Sequence, residues 1–71
     1  MTYYCINFKS FDNEWNIHRN EINYFDLDNA IHMALSISTC VDVNGCVDVI
    51  DCMTGEVMFT AEQGKEIYRA N

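Results

Sequence analysis

Residues 46–61 read CVDVIDCMTGEVMFTA, and the fold turns on how this stretch pairs with itself. On both sides of Met53-Thr54-Gly55, apolar and polar residues alternate with period two, which is the pattern of half-buried strands. Val47 and Val49 then share a face with Val57, Phe59 and Ala61. The other face carries Cys46, Asp48, Ile50, Cys52, Glu56, Met58 and Thr60. A three-residue loop ending in glycine, which tolerates left-handed backbone, closes the hairpin. Slipping the register by one residue would scatter the apolar set, so the pattern specifies the pairing.

Working outward, Asn44-Gly45 is a turn signal. Cys40 to Val43 read either as a short strand or as a connecting loop. The loop is favoured, because a strand would set Val41 and Val43 opposite Cys46 and Asp48. Further upstream, Leu27, Ala30, Ile31, Ala34, Leu35 and Ser38 recur at helical spacing, with Met33 and Ile37 widening the stripe. Asp26 is an N-cap residue and Asp28 complements the helix dipole. His32 and Ser36 fall on the opposite side, and the helix, about three turns long, ends near Thr39.

The first segment also alternates, with Tyr4, Ile6 and Phe8 on one face and Tyr3, Cys5, Asn7 and Lys9 on the other. Ser10 to Asn13 supply turn chemistry. Trp15 and Ile17, opposite Asn16 and His18, extend this into a hairpin, with a looser connection from Asn20 to Phe25. The tail, Gln63 to Asn71, reads as a helical turn around Ile67 and Tyr68.

The expected class is α+β: one domain spanning 1–71, in the order β-β-α-β-β, as a four-stranded antiparallel sheet with one amphipathic helix packed on one face. Tyr4, Ile6, Phe8, Trp15, Ile17, Leu27, Ile31, Leu35, Val47, Val49, Val57 and Phe59 form the expected core. The second sheet face would present Tyr3, Cys5, Asn16, His18, Asp48, Ile50, Glu56 and Met58.

A chain of 71 residues with 49% hydrophobic content is too apolar for a disordered acidic tail. No stretch reaches the ~18 apolar residues of a membrane span. The start lacks a basic and apolar leader, so the expected location is cytoplasmic, with reduced cysteines.

Charge is the most distinctive property. The formal net charge is −7, and the span from Asn20 to Gly64 holds eight carboxylates and no lysine or arginine. Such a chain suits a partner with a basic surface and lacks the cations for direct nucleic-acid binding. Exposed acids at alternate strand positions stand ~6.6 Å apart, comparable to the phosphate step of an extended nucleic-acid strand. Asp48 and Glu56, with Asp42, Asp51 and Glu62 nearby, are the candidates for such mimicry. Tyr3, Ile50 and Met58 could anchor a more apolar contact.

The remaining motifs carry little chemistry. Cys40, Cys46 and Cys52 recur every six residues, with Cys5 far away, and no close Cys pair suggests zinc. Cys46 and Cys52 would stand roughly 20 Å apart on one straight strand. His18 and His32 accompany no nucleophile elbow, phosphate loop or metalloprotease motif. Asp42-Val43-Asn44-Gly45 lacks the run of a calcium loop. No catalytic residue, metal site or cofactor is expected.

In layout, the hairpin, the Phe25-Asp26-Leu27-Asp28-Asn29-Ala30-Ile31 helix start, Val47-Asp48-Val49-Ile50-Asp51 and Thr54-Gly55-Glu56-Val57 together resemble small uncharacterised proteins of phages and mobile elements of low-GC bacteria. Some anti-CRISPR and other anti-defence proteins share this size and build. The resemblance spans residues 3 to 61 and implies stoichiometric binding and inhibition.

The functional expectation is a non-enzymatic acidic module that occupies a basic surface of a partner such as a nucleic-acid-binding enzyme, by mimicking nucleic acid. The runner-up is a homodimeric or accessory module using the open sheet face. A cysteine-based metal or redox protein is third.

Overall fold

The computed structural model describes residues 3–10, 15–18, 26–41 and 43–70. Its elements are β1 (Tyr4–Ser10), β2 (Trp15–His18), α1 (Leu27–Ser38), β3 (Val43–Asp51), β4 (Val57–Glu62) and β5 (Lys65–Arg69). All pairings are antiparallel, and the strand order is β2-β1-β3-β4-β5. The α+β class and the four expected strands are present in one sheet, with α1 packed across one face against β1, β3 and β4.

The core forms where the helix stripe meets the alternating strands. Ile6, Val47, Val49, Phe59 and Ala61 are buried beneath Ala30, Ile31 and Ala34, with Tyr4, Phe8, Leu27, Leu35 and Ile37 packed around them. Asp26 caps the helix as its chemistry dictates: its Oδ1 accepts from the Asp28 amide at 2.9 Å. At the other end the buried Ser38 hydroxyl donates to the Leu35 carbonyl (2.7 Å) and accepts from the Gly64 amide (2.8 Å). That bond ties the helix to the β4–β5 turn.

The tail is a fifth strand, not a helical turn. Gln63 and Gly64 both adopt positive φ, 51° and 79°, between the paired residues Glu62 and Lys65. Two left-handed residues in a two-residue loop match the right-handed twist of the flanking strands, so residues 65–69 fold back beside β4. Tyr68 then pairs with Thr60 and Arg69 with Phe59.

Asn44-Gly45 is not a turn either. β3 begins at Val43 and runs through it. Ser10 pairs with Val43 while Phe8 pairs with Val47, so β3 carries extra residues there. Gly45, at φ 89°, absorbs that bulge. The β3–β4 connection is Cys52–Glu56, longer than the three-residue loop expected over Met53-Thr54-Gly55: the Asp51 amide donates to the Glu56 carbonyl (2.9 Å) and the Gly55 amide to the Asp51 carbonyl (2.7 Å).

A second bulge corrects the expected core. Val49 pairs with Phe59, but Ile50 pairs with Val57, leaving Met58 as the extra residue. Val57 is therefore half-buried beside Ile50, not in the core. On β2 the backbone register pairs Ile17 with Asn7 and Trp15 with Lys9. Positions 15 and 17 thus align with the Cys5–Asn7 row, while Asn16 and His18 pair with Phe8 and Ile6, the reverse of the expected arrangement. The expected turn over Ser10–Asn13 and connection from Asn20 to Phe25 fall mostly outside the described residues.

Among the described residues, no helix is long and apolar enough to cross a membrane.

Candidate functional site

Helix α1 covers one sheet face, and the strand pairings lay out the other as successive rows. Nearest the β3–β4 hairpin, Tyr3 accepts from the Cys52 amide at 3.0 Å. In the next row Cys5 pairs with Ile50 and Ile50 with Val57. The third row runs Asn7, Asp48, Thr60, Tyr68. The last brings Cys46 next to Glu62, their Sγ and Oε2 atoms 4.0 Å apart, with Lys65 paired beyond it. Asp48 and Glu62 thus lie toward one end of the face, beside Lys65, and Tyr3, Ile50 and Cys52 toward the hairpin end.

At the acidic end, Asp48 is half-buried, and its Oδ1 accepts from the Thr60 hydroxyl at 2.8 Å. One carboxylate oxygen is thereby fixed in direction. Glu62 lies two residues beyond Thr60, the cross-strand partner of Asp48, and so is its diagonal neighbour. Such neighbours are roughly 7–8 Å apart. Partial burial, followed by the charges of Glu62 and Asp48, pushes the Cys46 thiol above its ordinary pKa. Both carboxylates therefore act on the same patch of surface. Lys65 brings a cation to the edge of that patch.

At the hairpin end, Tyr3, Cys5, Asn7, Ile50, Asp51 and Cys52 line a shallow groove of about 460 Å³. Cys5 is only 6% exposed, although it lies on the face opposite α1; Tyr3 is 37% exposed and Tyr68 49%. A second, larger hollow lies at the C-terminal end of α1, between Ser38, Cys40, Val43 and Glu62.

The structure groups the sequence-derived candidates unevenly. Asp48 and Glu62 come together, and Tyr3 and Ile50 share the groove. Met58 is half-buried in the bulge beside them. Asp51 pairs with Tyr4, which packs against the core on the α1 side; Asp51 borders the groove at the hairpin end, and its Oδ1 accepts from the Met53 amide at 2.8 Å. Glu56 is exposed beyond the turn, level with Asp51 and so roughly 10 Å along the sheet from Asp48. Asp42 lies outside the described residues.

Thr60, Tyr68 and Lys65 also belong to this face and were not among the candidates. The signal for the last two was Gln63-Gly64 followed by five residues with an apolar pair. All four cysteines are free thiols. Among the described residues, no group of three or more His, Cys, Asp and Glu side chains could hold a metal ion. Comparison with family models, curated proteins and solved structures finds no match to this chain.

Proposed function

We propose that this protein is a binding module, not an enzyme, and that its open sheet face occupies a basic surface of a partner. The observation that carries this reading is the pairing of Asp48 and Glu62 on the face opposite α1, in a chain of net charge −7. Thr60 holds the Asp48 carboxylate in place, so part of the ordering cost of recognition is met before binding. The diagonal spacing of the two acids is comparable to the phosphate step, which favours a partner that handles nucleic acid and would be inhibited by losing its groove. The resemblance in layout to anti-defence proteins of phages, read from the sequence of residues 3 to 61, implies the same stoichiometric mode.

The test is capture from a lysate of the source cells on the immobilised protein, eluted by salt and by competing DNA or RNA. The comparison variant is Asp48→Asn with Glu62→Gln, which removes two charges yet leaves an oxygen to accept from Thr60. Expected is a nucleic-acid-binding protein that wild type retains, moderate salt and nucleic acid release, and the variant fails to hold. Equal retention by the variant would refute the acidic face as the binding surface. Partners that survive high salt would favour the second reading, docking through Tyr3, Ile50 and Met58.

A further inference from the structure

The turn that attaches β5 is strained, and the strand it attaches is shallowly seated. Gln63 and Gly64 take positive φ, 51° and 79°. Glutamine has a Cβ and lacks the short polar side chain that lets Asn or Asp settle in that region. Beyond the turn, β5 is an edge strand bonded to β4, and all five of its residues are exposed. Lys65 stands opposite Glu62, Tyr68 opposite Thr60, and the Arg69 guanidinium lies 5.3 Å from the centroid of the Phe59 ring. These contacts join β5 to β4, so they can form between two chains as well as within one. Lys65 and Arg69 are also two of the four Lys and Arg residues in a chain of net charge −7. The strand is therefore attracted to the acidic remainder of any copy.

We propose that β5 is an exchangeable arm: Gln63-Gly64 opens as a hinge, and β5 seats on β4 of a second copy to give a strand-swapped dimer. Straightening the hinge to extended backbone relieves the left-handed strain in both chains. A short strained hinge is a known setting for such exchange. The occupant of the vacated edge is fixed by fit, since β5 is the strand whose pairing with β4 the structure shows. In the dimer, Lys65 and Tyr68 of one chain lie beside Glu62 and Thr60 of the other, so each open face is completed by its neighbour. One bond opposes the opening: the Ser38 hydroxyl accepts from the Gly64 amide at 2.8 Å. The exchange holds whether or not that face binds a basic partner.

Gly64→Val in the full chain tests this. A Cβ at position 64 would meet Thr39 Cγ2 at 3.0 Å, and a β-branched residue resists a φ of 79° but suits extended backbone. A factor of about ten from each of two chains should tighten the dimer about a hundredfold over wild type. Light scattering should then give the mass of two chains for Gly64→Val. Gln63→Asn, which favours the closed turn, should dimerise less than wild type. Isotope-labelled and unlabelled Gly64→Val, refolded together, should show nuclear Overhauser contacts between the Phe59 ring of one chain and Arg69 of the other. A folded monomer, or a dimer with those contacts confined within each chain, would overturn the proposal. If Gly64→Val does not fold, wild type refolded from urea at millimolar concentration decides the question. A dimer with interchain Phe59–Arg69 contacts upholds the exchange, and monomer alone overturns it.

Discussion

Val49 and Val57 are indistinguishable in the alternation of the β3–β4 hairpin, yet the bulge at Met58 assigns them to opposite environments. Truncating each to alanine turns that difference into a measurable quantity. Val49 is completely buried among Ile6, Val47 and Phe59. Val49→Ala removes two buried methyl groups, worth about 1.6 kcal/mol by transfer. The space they leave, roughly 50 Å³ in a core that cannot fully collapse, adds about 1.2 kcal/mol. The expected cost is therefore about 2–3 kcal/mol. Val57 is half-buried beside Ile50 on the face opposite α1 and leaves no closed cavity, so Val57→Ala should cost under about 1 kcal/mol. Urea unfolding followed by circular dichroism reads both. With a slope of about 1 kcal/mol per molar, the midpoint falls by about 2–3 M for the first variant and by less than about 1 M for the second. Equal losses, or a larger loss at Val57, would refute the bulged register.

Three further outcomes follow from the geometry. Asp26→Ala removes the acceptor for the Asp28 amide and should cost about 1 kcal/mol, lowering the melting temperature by about 4–8 °C. Gln63→Asn places a residue more tolerant of positive φ in the β4–β5 turn and should raise stability by up to about 1 kcal/mol. A drop in melting temperature would contradict the two-residue turn. Because burial, Glu62 and Asp48 all raise the Cys46 pKa, the thiol stays protonated further into the alkaline range than an ordinary cysteine. Glu62→Gln removes one of those causes and so lowers the pKa. Iodoacetamide at pH 8 should then modify Cys46 faster, as read by peptide mass spectrometry, and an unchanged rate would place the Glu62 charge elsewhere.

The elements legible in the sequence were those in which one local rule acted alone. Asp26 as cap, the Ala30-Ile31-Ala34-Ser38 stripe and the Val47-Val49-Phe59-Ala61 face each follow from a single periodicity. What misled was a conflict between local signals and sheet pairing. Asn44-Gly45 has the composition of a hairpin turn, but pairing of β3 with β1 extends past it and uses Gly45 for a bulge. Lys65-Glu66-Ile67-Tyr68-Arg69 contains good helix formers, and only the Gln63-Gly64 turn and the open edge of β4 make it a strand. Val57 leaves the expected core because a bulge inverts the alternation, and a bulge leaves no mark in composition. The acidic character of the open face was visible in charge alone. Its arrangement was not, since Asp48 and Glu62 become neighbours only through the β3–β4 register.

The central claim is that binding uses the sheet face opposite α1, and methyl cross-saturation from an unlabelled captured partner tests it most directly. Ile50 and Met58 report that face, and Met33, 38% exposed on α1, reports the opposite side. The account predicts that the Ile50 and Met58 methyl signals lose intensity on irradiating the partner while Met33 is untouched. Loss at Met33 with Ile50 and Met58 unaffected would put the partner on the helix and contradict the account.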